Sequence, residues 1–161
     1  MALSPEELET LPEKDLIRRG TELWKHGQSR EAAQVLFAAC DRLSKKEETV
    51  VPAAALSLYA VCLAEDGRLK EAVDTCRHAL TFEPYNPQVH LNMARVYLKG
   101  TSRKKAIEAL NRGLALAPTH RGLQALRQEM GVREEPVVGF LPRDNPVNVA
   151  LGKARSKIKK K

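Results

Sequence analysis

An all-α solenoid of stacked helix pairs is the fold class that this 161-residue sequence predicts. Three observations carry that expectation. The stretch from Pro52 to Pro118 repeats itself: a shift of 34 residues brings Ala60 onto Ala94, Ala72 onto Ala106, Leu80 onto Leu114 and Pro84 onto Pro118. Each half reads as two short amphipathic helices joined by a polar turn and closed by proline. A related unit precedes them at an offset of 40, where Gly20 meets Ala60, Leu23 meets Leu63, Gly27 meets Gly67 and Ala32 meets Ala72. A fixed period in this range marks a solenoid, because one helix pair cannot bury its apolar face alone.

Ser4-Pro5-Glu6-Glu7 has the form of a helix start, with a hydroxyl cap, proline in the first turn and acids near the positive end of the helix dipole. The pattern restarts at Thr10-Leu11-Pro12-Glu13. From Leu16 to Trp24 the spacing predicts a helix ended by Gly27, and Ser29 is expected to cap the next, which carries Ala32, Leu36, Ala39, Cys40 and Leu43. The extra residues Ser44–Val51 either prolong that helix or form a charged loop. Two further pairs follow to Pro118. In the last of them Gly100 is expected to make the turn that Gly67 makes earlier. Thr119 is expected to cap one more helix bearing Leu123, Leu126 and Met130, closed by Gly131. Arg127 stands where a repeat would want a small residue, so this segment reads as a capping helix.

The middle unit, with Leu56, Tyr59, Ala60, Leu63, Gly67, Leu69, Ala72, Cys76, Ala79, Leu80 and Pro84, resembles the tetratricopeptide repeat family. The resemblance spans roughly residues 13–118. It implies a right-handed superhelical solenoid of three helix pairs, at about 13–46, 53–86 and 87–120, with a capping helix at 119–131. Residues 1–12 then form a helical extension, and 132–161 a proline-containing linker with a basic tail.

Apolar residues make up 43% of the chain, and no apolar run approaches the ~18 residues that cross a bilayer. The acidic start does not look like a secretion signal, and the odd cysteines Cys40, Cys62 and Cys76 suit a reducing cytoplasm. The four histidines lack ligand spacing, and the glycines occur singly. The sequence therefore predicts no catalytic residues, no metal and no cofactor; the protein is expected not to be an enzyme. His90 and the cysteines read as packing residues.

In tetratricopeptide arrays the first helix of each repeat lines a concave groove. The resemblance assigns Ile17, Arg18, Thr21 and Lys25 to that face in the first pair, Leu58 and Val61 in the second, and Gln88, Leu91, Asn92, Arg95 and Lys99 in the third. An apolar floor with basic flanks suits a partner peptide or helix with some acidic residues. Ile17, Thr21 and Leu58 stand where the family's carboxylate clamp wants Lys, Asn and Asn, so recognition of chaperone tails is not expected. A secretion-chaperone-like holder is a narrower version of the scaffold reading. Trp24 is expected to plug the first pair against the opening helix rather than to anchor a partner.

The net charge of +7 is concentrated: residues 133–161 hold +5 and the first 132 hold +2. Asp144 or Asn145 before Pro146 predicts a helix start, after which Val147, Leu151, Ala154 and Ile158 fall on one face. The basic tail is expected to act as a solvating end; in the alternative reading Lys153, Arg155, Lys157, Lys159 and Lys160 contact an anionic membrane surface or nucleic acid. The apolar run through Val137, Phe140 and Leu141 is a candidate for self-association or for docking on the solenoid.

Overall fold

The computed structural model describes residues 5–46, 50–131, 138 and 145–158. They form helices α1 (Pro5–Thr10), α2 (Glu13–Lys25), α3 (Ser29–Ser44), α4 (Ala53–Glu65), α5 (Leu69–Phe82), α6 (Pro87–Lys99), α7 (Arg103–Leu116), α8 (Arg121–Glu129) and α9 (Pro146–Ile158). No strand occurs among the described residues. The chain divides into two compact units, Met1–Gln128 and Glu129–Lys161.

In the first unit α2 pairs with α3, α4 with α5 and α6 with α7, and α3–α4, α4–α6 and α5–α6 join successive pairs. Small residues set the crossings. Ala32, Ala60, Ala72, Ala94 and Ala106 have no exposed surface, so paired backbones approach closely. At Gly20 even a methyl is too large: a Cβ there would lie 2.6 Å from Leu36 Cγ. Between the alanine rows Leu16, Leu36, Leu63 and Leu110 fill the core. The described span of α3 runs to Ser44, where Lys45 Nζ bonds Asp41 at 2.6 Å.

Helix α4 departs from the amphipathic pattern. Ten of its thirteen residues are buried, because it packs against α3, α5 and α6 and also touches α2. A helix apolar all round belongs inside.

The turns correct three expectations. Gly27 and Gly67 close α2 and α4 in the left-handed region, at φ 77° and 86°. In the third pair that conformation falls on Thr101 (φ 58°), not on Gly100 (φ −82°). The 34-residue register is therefore kept at the expense of a β-branched residue in a strained conformation. Thr101→Gly should raise unfolding stability by about 1 kcal/mol, as relief of strain outweighs the added freedom of the unfolded chain; a chemical denaturation midpoint that falls or stays put would contradict this. Ser29 does not cap α3. It is the first helical residue, and its hydroxyl bonds the Glu65 carboxylate. His120, not Thr119, caps α8, with Nδ1 accepting the Leu123 amide at 3.3 Å.

The first pair lacks a closing proline and is tied by charge instead. Arg42 Nη2 and Lys46 Nζ lie 3.0 and 2.9 Å from Glu13 Oε1, and Arg42 Nη1 also donates to the carbonyls of Leu8 and Leu11. This pins the end of α3 to the start of α2 and to the end of α1. The hydrogen bond from Lys46, then one from backbone and the charge of Arg42, hold the Glu13 carboxyl below its ordinary value of 4.5. A carboxylate with a depressed folded-state pKa stabilises at all pH above its unfolded value and loses that contribution as pH falls through the folded one. Glu13→Gln should therefore be less stable than the parent at neutral pH. Urea melts of the two should begin to draw together as the pH falls below 4.5 and converge below the lower folded-state value; a pH-independent gap would assign the loss to packing.

In the second unit α9 begins at an Asn-Pro start. Asn145 Oδ1 accepts the Val147 amide at 3.0 Å, and the Asn145 carbonyl accepts the Val149 amide. Asn148 is buried and makes a two-point bond to the Val138 backbone: Oδ1 accepts its N–H at 2.8 Å and Nδ2 donates to its carbonyl at 3.0 Å. A side-chain amide here pairs with main chain as another peptide group would.

Candidate functional site

The first helices of the three pairs, α2, α4 and α6, meet through a polar chain. Trp24 on α2 lies under the guanidinium of Arg95 on α6, with 4.9 Å from Cζ to the ring centroid. Arg95 Nη1 donates to Asn92 Oδ1 at 3.0 Å, and Gln88 Nε2 donates to the same oxygen at 3.2 Å. Asn92 Nδ2 donates to Ser57 Oγ on α4 at 2.9 Å, and that hydroxyl donates to the Ala54 carbonyl. Asn92 and Ser57 are 1% and 0% exposed, so the amide and hydroxyl satisfy each other away from water. The consequence is an arginine whose position is set from two sides, by an aromatic face and by a buried amide.

The expectation that Trp24 plugs the first pair against the opening helix is therefore corrected. It faces Arg95, on the same side as the predicted groove residues. Its signal was present in the sequence, since Trp24 follows Ile17 and Thr21 at helical spacing on α2. What the sequence did not carry was that Arg95 comes across to meet it.

The predicted groove residues divide. Arg18, Lys25 and Lys99 are exposed, and Ile17, Thr21, Gln88 and Arg95 are partly so. Leu58, Val61, Leu91 and Asn92 are buried, which removes them from an open floor. For Leu91 the cause is α8: a Cβ on Gly122 would lie 2.7 Å from Leu91 Cδ2, so the capping helix sits directly against it. Asn92 is consumed by its bonds to Ser57, Gln88 and Arg95. Leu58 and Val61 belong to α4, which helices surround. Arg18 bonds Asp15 one turn away at 3.2 Å, and Thr21 returns its hydroxyl to the Ile17 carbonyl.

No group of three His, Cys, Asp or Glu among the described residues could hold a metal ion. Burial pushes the thiols of Cys40, Cys62 and Cys76 up to about 11, 12 and 12, which keeps them protonated and unreactive at neutral pH. His90 is 6% exposed and its Nε2 lies 2.9 Å from the Pro84 carbonyl, a packing role.

Of the predicted tail residues, Lys153 is exposed on α9. Arg155 and Lys157 lie on the same helix, with their side chains outside the described ones. Lys159 and Lys160, and the self-association candidates Val137, Phe140 and Leu141, lie outside the described residues. No helix among the described residues is long and apolar enough to cross a membrane.

Residues 63–130 match the family model of the tetratricopeptide repeat. Solved structures agree on the fold. The Arabidopsis OM64 TPR domain is 15% identical, with a TM-score of 0.57, covering 73% of this chain and 93% of that one. The first TPR of Spaghetti (RPAP3) bound to the HSP90 peptide SRMEEVD is 13% identical, with a TM-score of 0.57, covering 74% and 90%. PcrH from Pseudomonas aeruginosa is 18% identical, with a TM-score of 0.54, covering 81% and 90%. No curated protein matches the sequence. The fold and the matched segment define a helical repeat protein of the solenoid class. Its segment 63–130 is similar to the tetratricopeptide repeat, and the fold is that of tetratricopeptide repeat domains.

Proposed function

We propose that the protein is a non-enzymatic interaction scaffold that holds an acidic segment of a partner protein on the concave side of α2, α4 and α6. The observation that carries this reading is Arg95, set by Trp24 and Asn92 between the first and third pairs. Lys25 and Lys99, both exposed, end the same two helices α2 and α6 and add positive charge beside it. A preorganised guanidinium loses less side-chain freedom on meeting a carboxylate than a mobile lysine would. One relative of this fold is described as bound to a peptide ending in Glu-Glu-Val-Asp, which is consistent with peptide capture on such a face. Here Ile17, Thr21 and Leu58 replace the polar clamp that such tails require, and support an acidic segment of a different kind. The working domain division is an extension at 1–12, the repeat domain at 13–131 and the tail at 132–161.

The test is a peptide array of acidic, neutral and basic sequences probed with the full chain. Acidic peptides should be retained, and Arg95→Glu should weaken them at least about tenfold, the scale of losing a charge-assisted contact and gaining a repulsive one. Lys153→Glu should leave them unchanged. Retention that ignores charge, or that survives Arg95→Glu, refutes the reading. Leu58→Glu would be uninformative, because that side chain is 7% exposed and the change would disturb the core.

A further inference from the structure

We infer that α9 is a surface-lying anchor for anionic lipid membranes. Val147, Leu151 and Ala154 fall at i, i+4 and i+7 and are exposed, Val147 and Leu151 by 49% and 40%. The rotation of the helix is set inside its own unit. Asn145 caps it and Asn148 is drawn inward onto the Val138 backbone, while Val147, Val149 and Leu151 stay exposed around it. Charge supplies the second argument. From residue 145 to 161 there are six Lys/Arg and no acid, with Lys153 exposed on the other side of the helix from the stripe.

Thirteen residues make a helix of roughly 20 Å, too short for the ~30 Å hydrocarbon core, so it lies along the interface rather than through it. Nucleic acid would use the cations but has no need of an apolar stripe. A lipid surface uses both: the stripe enters the acyl boundary while the cations stay at the headgroups. Gly152 has nothing within 4 Å of a Cβ position, so helix propensity can be raised there without a clash.

The full chain is sedimented with vesicles of phosphatidylcholine alone and of phosphatidylcholine mixed with phosphatidylserine. Binding should appear with the mixed vesicles, fall as salt rises, and fall at least about tenfold in Leu151→Asp, which loses the stripe's centre. Lys153→Glu should lower it by roughly fivefold or more, and Gly152→Ala should raise it by up to about fivefold. Far-UV circular dichroism of each variant should match the parent. The proposal is overturned if the full chain shows no preference for anionic vesicles, or if Leu151→Asp binds them as the parent does. It is also overturned if a duplex oligonucleotide binds more tightly than vesicles at the same salt, which would assign the cations to nucleic acid.

Discussion

Leu63→Ala is expected to reduce unfolding free energy by about 3 kcal/mol, within the range for removing a fully buried leucine. Leu63 has no exposed surface and sits on α4, the helix that contacts α2, α3, α5 and α6. A cavity opened there borders several helices at once. None can move into it without leaving another neighbour, so little of the loss is recovered by relaxation. Solenoids tolerate change at their ends better than in the middle, because a central unit loses an interface on each side. Chemical denaturation should show the midpoint falling with an unchanged slope. A loss under about 1 kcal/mol would mean that α4 is not the structural centre.

Gly20→Val is expected to cost a comparable amount, about 3 kcal/mol, by overpacking rather than by loss. The Cβ alone would stand 2.6 Å from Leu36 Cγ and 2.9 Å from Leu36 Cδ2. Leu36 is fully buried, so its side chain has no open space to swing into. Gly20→Ala tests the same contact more gently. Its gain in helix propensity of about 1 kcal/mol offsets part of the clash, so the net cost should be smaller than for valine. Combining Gly20→Ala with Leu36→Ala isolates the contact: the double variant should be more stable than the sum of the two single losses. Simple additivity would show that α2 and α3 separate easily and that the close crossing is not what the glycine provides.

The helix pairs were legible because their information is local and periodic. Apolar spacing, single glycines after α2 and α4 at a shift of 40, and the prolines at 84 and 118 at a shift of 34 all mark the repeat, and each acts within a few residues of itself. Helix ends were read less well. Thr119 and His120 are adjacent and both can accept a backbone hydrogen bond, so only the path of the chain decides between them. Thr101 shows the same limit from the other side. Glycine is the default for a left-handed turn, yet register with the preceding pair places the turn one residue past Gly100.

What the sequence by itself determined about this protein is the solenoid class, the paired helices, their small-residue crossings and the concentration of basic charge after residue 132. What only the tertiary structure decided is which of the residues assigned to a groove face water. A helix face read from spacing says where a side chain points, not what crosses above it. Leu91 is covered by Gly122, and Asn92 is spent on Ser57 and Arg95. Trp24 and Arg95 are far apart in the chain and meet because α2 and α6 both flank α4. Exposure is a property of the neighbours, and the neighbours are set by packing.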